Sequence, residues 1–178
     1  KTQPDNNRLK AIGTILNGII YSQPDSAFHF AGLEYTLAEA TGNKKVMAEA
    51  LSIQGASSYL IGKYDQALLY YGKSLKIKEE IGDKKGMAGS YNNFGGVYME
   101  QGKYDQALLY HGKSLEIKKE MGDSTGMANS YNNFGVICQL QGNYEQALLY
   151  YNKSLKLYKE LGNKWGVANS YNNFFTFF

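Results

Sequence analysis

"GKYDQALLYYGKSLKIKEEIGDKKGMAGSYNNFGGVYMEQ", residues 62–101, returns almost unchanged at residues 102–141, where 28 of the 40 positions are identical. Residues 142–178 continue in the same register, and residues 22–61 are a diverged copy that keeps Asp25, Ala27 and Gly42. A period of this length is typical of stacked supersecondary units. The sequence therefore predicts one repeat domain over residues 1–178, with repeats at about 22–61, 62–101, 102–141 and 142–178 and an N-terminal helix at about 6–21.

Glycines that recur every 40 residues divide each period into two helices. Gly62 and Gly82 begin the two series, and glycine readily adopts the left-handed conformation that ends a helix. Asp83 and its equivalents can cap the helix that follows, and Pro24 stands where proline is tolerated, in a first turn. Apolar residues recur at three- and four-residue spacing, and no stretch alternates as a strand does. We therefore expect an all-α protein.

Composition excludes several classes of protein. The net charge of +3 over 178 residues is spread along the chain, without the basic segment that nucleic-acid binding requires. The longest apolar stretch, Ala11 to Tyr21, is shorter than the roughly 20 residues of a membrane span. We expect neither nucleic-acid binding nor membrane insertion. Cys138 has no partner cysteine, and the first residue is not Met, so the compartment stays open between the cytoplasm and a bacterial periplasm.

The residues that commonly carry catalysis do not form a set. His29 and His111 occupy unmatched repeat positions, and His111 replaces a tyrosine, which favours aromatic packing. Cys138 also replaces a tyrosine and is expected in the core. No nucleophile, base and orienting group can be assembled, and no glycine-rich phosphate loop follows a strand. We expect no enzyme, no cofactor and no metal.

Lysines and glutamates alternate along the second helix of each pair. Such a pattern is typical of a solvated face that is supported by pairs at (i, i+4). The residues concerned are Glu79, Glu80, Glu120 and Glu160 together with Lys73, Lys76, Lys78, Lys113, Lys118, Lys119, Lys153 and Lys156.

The stretch "YNNFGGVYMEQGKYDQALLYHGKSL", residues 91–115, resembles the tetratricopeptide repeat (TPR) in the spacing of Tyr91, Phe94, Gly95, Tyr98 and Ala107. The resemblance covers nearly the whole chain, but the period is 40 residues rather than the usual 34, and no proline closes the repeat. This longer form is similar to the repeats of Leu-Gly-Asn-type adaptors, kinesin light chains and bacterial TPR sensor proteins. The resemblance implies a right-handed superhelical solenoid of antiparallel helix hairpins, about four hairpins plus a C-terminal helix.

Glycines inside the first helix of a hairpin need a structural reason, because glycine costs about 1 kcal/mol relative to alanine there. We expect the paired helix to approach closely at Gly95 and Gly135, with Ala107 and Ala147 facing them.

Asparagine pairs recur at the same point of each repeat, although asparagine is a mediocre helix former. The resemblance places them on the helices that line the concave groove, where related adaptors hold the main chain of a peptide with an asparagine ladder. A carboxamide offers the donors and the acceptor that a peptide backbone needs. The resemblance thus implies a protein-protein interaction module that binds an extended peptide segment of a partner. The candidate peptide-binding residues are Asn93, Asn133, Asn173, Asn129, Asn169, Asn92, Asn132 and Asn172.

Alternatives remain open at this point. One asparagine of each pair can instead satisfy polar groups between neighbouring hairpins or face water, and the first repeat has Ser52 and Ile53 at these positions. The cations that would clamp a terminal carboxylate are absent from the groove positions, which favours an internal segment. A different function is that of a sensory or regulatory input region of a larger bacterial signalling protein, acting through oligomerisation or an attached domain.

The C-terminal sequence "SYNNFFTFF" ends with four phenylalanines, Phe174, Phe175, Phe177 and Phe178, where the register calls for glycine at position 175. Terminal repeats usually present a polar face. We therefore expect this helix to pack against something outside its own hairpin, for which a second copy of the chain, and hence a homo-oligomer, is one possibility.

Overall fold

The computed structural model describes residues 6–175, with side chains described at 12–16 and 18–173. Over this range the predicted all-α fold is confirmed, because four helix hairpins and a final helix follow one another and no strand is present. The helices are α1 (Asn6–Ile19), α2 (Pro24–Thr41), α3 (Lys44–Leu60), α4 (Tyr64–Glu80), α5 (Lys84–Glu100), α6 (Tyr104–Glu120), α7 (Ser124–Leu140), α8 (Tyr144–Glu160) and α9 (Lys164–Phe175).

The chain falls into two compact units that are divided between Asn93 and Phe94, inside α5. The first unit contains α1 to α4 and the first part of α5, and the second contains the rest of α5 and α6 to α9. Each unit has its own packed core. The prediction of a single repeat domain over residues 1–178 stays a prediction.

The turns between helices are built as the sequence predicts. Seven glycines, at 20-residue intervals from Gly42 to Gly162, have φ between 63° and 77°. At the next position Asp83 Oδ1 accepts a hydrogen bond of 2.9 Å from the backbone N–H of Gly86, which caps α5. Asp123, Asn163 and Asn43 cap their helices in the same way. At these four turns glycine and cap together therefore place the helix start immediately after the preceding helix end. The turns after Gly62, Gly102 and Gly142 have the glycine without a side-chain cap.

Glycines in the first helix of a hairpin lie against aromatic rings of the second helix. A Cβ atom added at Gly135 would come within 2.5 Å of the Tyr151 ring, and one added at Gly95 within 2.6 Å of the His111 ring. The expected close approach of the helices is confirmed. The expectation that Ala147 faces Gly135 is wrong, because the nearest atoms belong to a ring one turn further along α8.

Fully buried serines join the paired helices in two of the hairpins. Ser74 Oγ on α4 donates a 2.7 Å hydrogen bond to the carbonyl oxygen of Ala48 on α3. Ser154 Oγ on α8 donates an equivalent 2.8 Å bond to the carbonyl oxygen of Ala128 on α7. A hydroxyl that reaches a helix carbonyl requires a short side chain and a close approach, so these serines fix the spacing between the paired helices.

We expect Ser154→Ala to lower the free energy of unfolding by about 1 kcal/mol, because it removes a buried hydrogen bond between two helices. Chemical denaturation monitored by circular dichroism measures this loss. Ser170→Ala is the matched control, since Ser170 is equally buried but donates to the carbonyl oxygen of Gly166 within its own helix. An equal loss in both variants would show that the contact between helices contributes nothing of its own.

The prediction that the lysines lie on a solvated face is wrong for Lys78 and Lys118. Only 7% of Lys78 is exposed, and its Nζ donates hydrogen bonds to Ser52 Oγ at 2.8 Å and to Ser90 Oγ at 3.0 Å. Lys118 Nζ donates to Ser130 Oγ at 2.9 Å. Burial lowers the pKa of both ammonium groups, and nearby aspartates oppose this effect. The serine hydroxyls replace the lost water, and so these lysines can stay in the interior.

The buried lysine belongs to a set of three positions that differ between the first repeat and the later ones. Besides the serine, each lysine is paired with a glycine, since a Cβ atom at Gly86 would lie 2.9 Å from Cδ of Lys78. The fourth repeat has a tyrosine in place of the lysine but keeps the glycine and the serine, whereas the first repeat has a small residue in its place, and valine and alanine at the other two positions. The four sets are Ala38, Val46 and Ala50; Lys78, Gly86 and Ser90; Lys118, Gly126 and Ser130; and Tyr158, Gly166 and Ser170.

Candidate peptide-binding groove

The candidate asparagines all lie on the first helix of a hairpin or on α9. Asn92 and Asn93 belong to α5 and end the first unit, and both are half-buried. In the second unit Asn129 and Asn172 are exposed, and the other four candidate asparagines are half-buried. These four are Asn132 and Asn133 on α7 and Asn169 and Asn173 on α9.

The structure joins two of these side chains directly. Asn173 Nδ2 on α9 donates a hydrogen bond of 2.6 Å to Asn132 Oδ1 on α7. This bond uses the oxygen of Asn132 and neither of its N–H donors. Carboxamides of successive first helices in the second unit are therefore adjacent. The interpretation that one asparagine of each pair satisfies backbone groups between neighbouring hairpins stays a prediction, since this bond joins two side chains.

Other candidate asparagines contact the second helices. Asn133 Nδ2 lies 3.4 Å from His111 Nδ1, and the hydroxyl of Tyr158 donates to Asn129 Oδ1. Asn129 keeps its N–H groups for another acceptor, because Tyr158 occupies only its oxygen. The asparagines of the second unit thus contribute to packing, and their contact with a peptide stays a prediction.

His111 lies beneath the asparagines of α7, against Gly95. Only 2% of the residue is exposed, as the predicted packing role requires. Its Nε2 has no hydrogen-bond partner, and burial with the nearby Lys118 charge lowers the pKa of the imidazole to about 4. The ring is therefore neutral near pH 7.

A cavity of about 650 Å³ lies in the first unit. One face of α3 lines it with Glu49, Ser52 and Ile53, while Gly13 of α1 and Glu34 of α2 line it from the preceding hairpin. Glu34 is only 6% exposed, and burial together with the Glu49 charge raises the pKa of its carboxyl to about 7. The part of the first unit from α1 to α3 therefore presents carboxylates, whereas α5, α7 and α9 present carboxamides.

The sequence interpretation missed Glu34, although the repeat contains the signal. Position 34 corresponds to the buried serines Ser74, Ser114 and Ser154, so a glutamate stands where three repeats have a short side chain that is completely buried. A charge in a buried register position indicates a functional site or a special pairing. The charge pattern along α2 alone does not single out Glu34. Comparison of the same position between repeats does.

Two findings concern the described part of the chain alone. Between residues 6 and 175 no group of three or more histidine, cysteine, aspartate or glutamate side chains could hold a metal ion. None of the helices in that range has both the length and the apolar character that crossing a membrane demands.

The four C-terminal phenylalanines cannot be placed. Phe177 and Phe178 lie outside the described residues, as do the side chains of Phe174 and Phe175. Self-association through this segment stays a prediction.

Comparison with known proteins identifies the class. Residues 86–160 match the family model of the tetratricopeptide repeat. No curated protein sequence matches the chain significantly. Residues 86–160 are thus tetratricopeptide repeats, and the described chain as a whole has a TPR-like helical repeat fold.

Solved structures share this fold at low sequence identity. Aspartyl phosphate phosphatase F from Bacillus subtilis superposes with a TM-score of 0.87 at 14% identity, over 96% of this chain and 44% of that one. The apo form of RapI gives 0.80 at 20% identity, over 92% of this chain and 60% of that one. MamA gives 0.65 at 19% identity, over 89% and 82%. The chain spans about half the length of the first two proteins.

Repeat proteins of this type mediate protein-protein interactions, and the fold usually serves as a non-catalytic scaffold.

Proposed function

We propose that the first helices of the hairpins bind an extended internal segment of a partner protein, with asparagine carboxamides contacting its main chain. The observation that carries this proposal is the hydrogen bond between Asn173 and Asn132, which aligns carboxamides from adjacent helices. Asn132 keeps its N–H donors, and Asn129 and Asn172 are exposed. A row of donors and acceptors suits a peptide main chain, whose polar groups repeat at short intervals.

Apolar side chains near the ends of these helices suit the side chains of the segment. Leu140 at the end of α7 is 54% exposed, and Leu60 at the end of α3 is 41% exposed. Alternating polar and apolar contacts are how extended peptides are commonly recognised, because main-chain bonds give affinity and pockets give specificity.

A peptide selected from a random phage-displayed library on the unmodified protein tests this proposal. We expect the double variant Asn93→Ala with Asn133→Ala to bind that peptide about tenfold more weakly, which corresponds to the loss of about one hydrogen bond. Isothermal titration calorimetry measures the affinity, and the melting temperature should stay nearly unchanged. Asn152→Ala is the control, since Asn152 is exposed on the second helix α8.

Two results would contradict the proposal. An unchanged affinity with a lowered melting temperature would assign these asparagines to packing alone. Failure to select any peptide that competes for this surface would favour the second hypothesis, a regulatory input region whose groove holds a segment of its own polypeptide.

A further inference from the structure

Comparison of the four hairpins shows an exchange at two positions that face each other in the first unit. In three repeats the second helix has a short buried serine, and the position of the first helix that corresponds to Gly13 has a large side chain, Ile53, Asn93 or Asn133. In the first hairpin the order is reversed, since the second helix has Glu34 and the first helix has Gly13. A long acidic side chain therefore replaces a short one in the repeat whose first helix has glycine instead of a large side chain.

The glycine opens the way to the carboxylate. A Cβ atom at Gly13 would lie 3.4 Å from Oε1 of Glu34, so any side chain larger than alanine would extend over that oxygen. With glycine there, the cavity reaches Glu34. Glu34 has no ion pair or hydrogen bond with the described residues, although more than nine-tenths of it is buried.

The other charged groups around the cavity have partners or contact water. Lys78 Nζ is bonded to two serine hydroxyls, and Asp83 caps α5 through Gly86. Lys45 and Lys85 are exposed. Glu49 is exposed as well and its charge also acts on Lys78, so Glu34 is the charged group left buried without a partner among the described residues. A desolvated carboxyl beside a second carboxylate favours a cation.

We propose that this cavity binds a basic side chain of the partner segment, an arginine or a lysine, whose charged end lies between the carboxylates of Glu34 and Glu49. The inference rests on the proposed function, because it names the chemistry of one residue of the segment. A guanidinium or ammonium group supplies several donors and neutralises a buried carboxylate that has no partner inside the protein.

A divalent metal ion fits the cavity less well. Calcium takes six to eight oxygen ligands and magnesium demands an octahedral shell, whereas only two carboxylates converge here. An anion would have to approach Glu34, and the one buried cation, Lys78, is already bonded to Ser52 and Ser90. Acidic and basic residues line the cavity in equal number, but Glu34 is the acidic one that is buried without a bond to the described residues, and a basic ligand would neutralise it.

Binding of a basic side chain requires Glu34 to lose its proton. Burial and the Glu49 charge raise the pKa of this carboxyl to about 7, so its ionised fraction grows between pH 6 and pH 8. Of the other groups on the cavity wall, Glu49 and Asp83 are acidic and Lys45, Lys78 and Lys85 are basic. Affinity for a basic ligand should therefore rise over this interval.

The test uses two small probes that differ only in charge, N-acetyl-arginine amide and N-acetyl-citrulline amide. We expect the arginine probe to bind at least about fivefold more tightly at pH 8, in titrations followed by ¹H–¹⁵N NMR, with shifts centred on α1 to α3. In Glu34→Gln the two probes should bind equally. Gly13→Asn keeps the carboxylate but covers it, and it should also abolish the preference. Glu79→Gln, at an exposed glutamate of α4, should leave the preference intact.

The outcomes separate this inference from the proposed function. Equal binding of both probes to the unmodified protein, or a preference that survives in Glu34→Gln, would overturn the basic-side-chain site and leave the asparagine contacts standing. A preference that depends on Glu34, together with unchanged affinity of the selected peptide for the Asn93→Ala, Asn133→Ala variant, would support this site and remove the asparagines from the function. Well-dispersed spectra of each variant show that it remains folded.

Discussion

Gly135→Ala should lower the free energy of unfolding by about 3 kcal/mol, although alanine is the better helix former. The added methyl would lie 2.5 Å from the ring of Tyr151, which is completely buried. The tyrosine hydroxyl also donates a 2.8 Å hydrogen bond to Gln139 Oε1, so the ring cannot move aside without losing that bond. Overpacking therefore outweighs the gain of about 1 kcal/mol in helix propensity. Urea denaturation at constant pH measures the difference.

Gly96→Ala is the control for that substitution. Gly96 is also inside a helix of the second unit, but nothing lies within 4 Å of a Cβ atom there. We expect this variant to be more stable than the parent protein by about 1 kcal/mol, because only propensity changes. Equal effects of the two substitutions would show that the contact with Tyr151 does not limit the packing.

His111 should make the second unit less stable in mild acid. The unfolded chain binds a proton at this imidazole below about pH 6.5, whereas the folded protein does so only near pH 4. The contribution is fully present above pH 6.5 and is lost as the pH falls to about 4, and it amounts to about 3 kcal/mol. His111→Phe, which keeps a ring against Gly95, should remove this dependence.

Glu34 has the opposite effect over nearly the same pH range. Its folded pKa of about 7 exceeds the ordinary value of 4.5, so the folded protein holds a proton that the unfolded chain releases. Its contribution is present below pH 4.5 and is lost as the pH rises to about 7, by about 3 kcal/mol again. If the units unfold together, the two slopes largely cancel.

Substituting one of the two residues at a time separates their effects on the pH dependence of stability. Denaturation midpoints measured between pH 4 and pH 7 should fall with decreasing pH in Glu34→Gln and rise in His111→Phe. Hydrogen exchange of α2 and α6 amides then assigns each slope to its unit. Parallel curves for both variants would contradict the assigned environments.

Helix ends were predictable because they depend on neighbouring residues. Gly82 ends one helix and Asp83 caps the next, and both functions require only the local backbone. The 40-residue period extends this assignment to the turns at Gly42, Gly122 and Gly162. Fold class and helix boundaries therefore follow from the sequence.

Buried polar contacts were not predictable in this way, since they join helices that are distant in sequence. The sequence pattern places Lys78 on a charged helix face, yet its ammonium group donates hydrogen bonds to serines on α3 and α5. The bond between Asn132 and Asn173 likewise spans two hairpins and depends on the distance between their helices. The repeat pattern predicted the helices on which the candidate asparagines lie, but neither the bonds among them nor Glu34.

The set formed by Lys78, Gly86 and Ser90 determines where such a gene can recombine with itself. Unequal crossing-over between near-identical repeats is the simplest way to lengthen or shorten the array. A crossover inside residues 78–90, between the first copy and a later one, would combine a lysine with a valine or leave a serine beside an alanine. A crossover between residues 91 and 117 would transfer the whole set intact. Surviving duplications that join the first copy to a later one should therefore have their junctions in the second interval, even though the helix hairpin is the visible structural module.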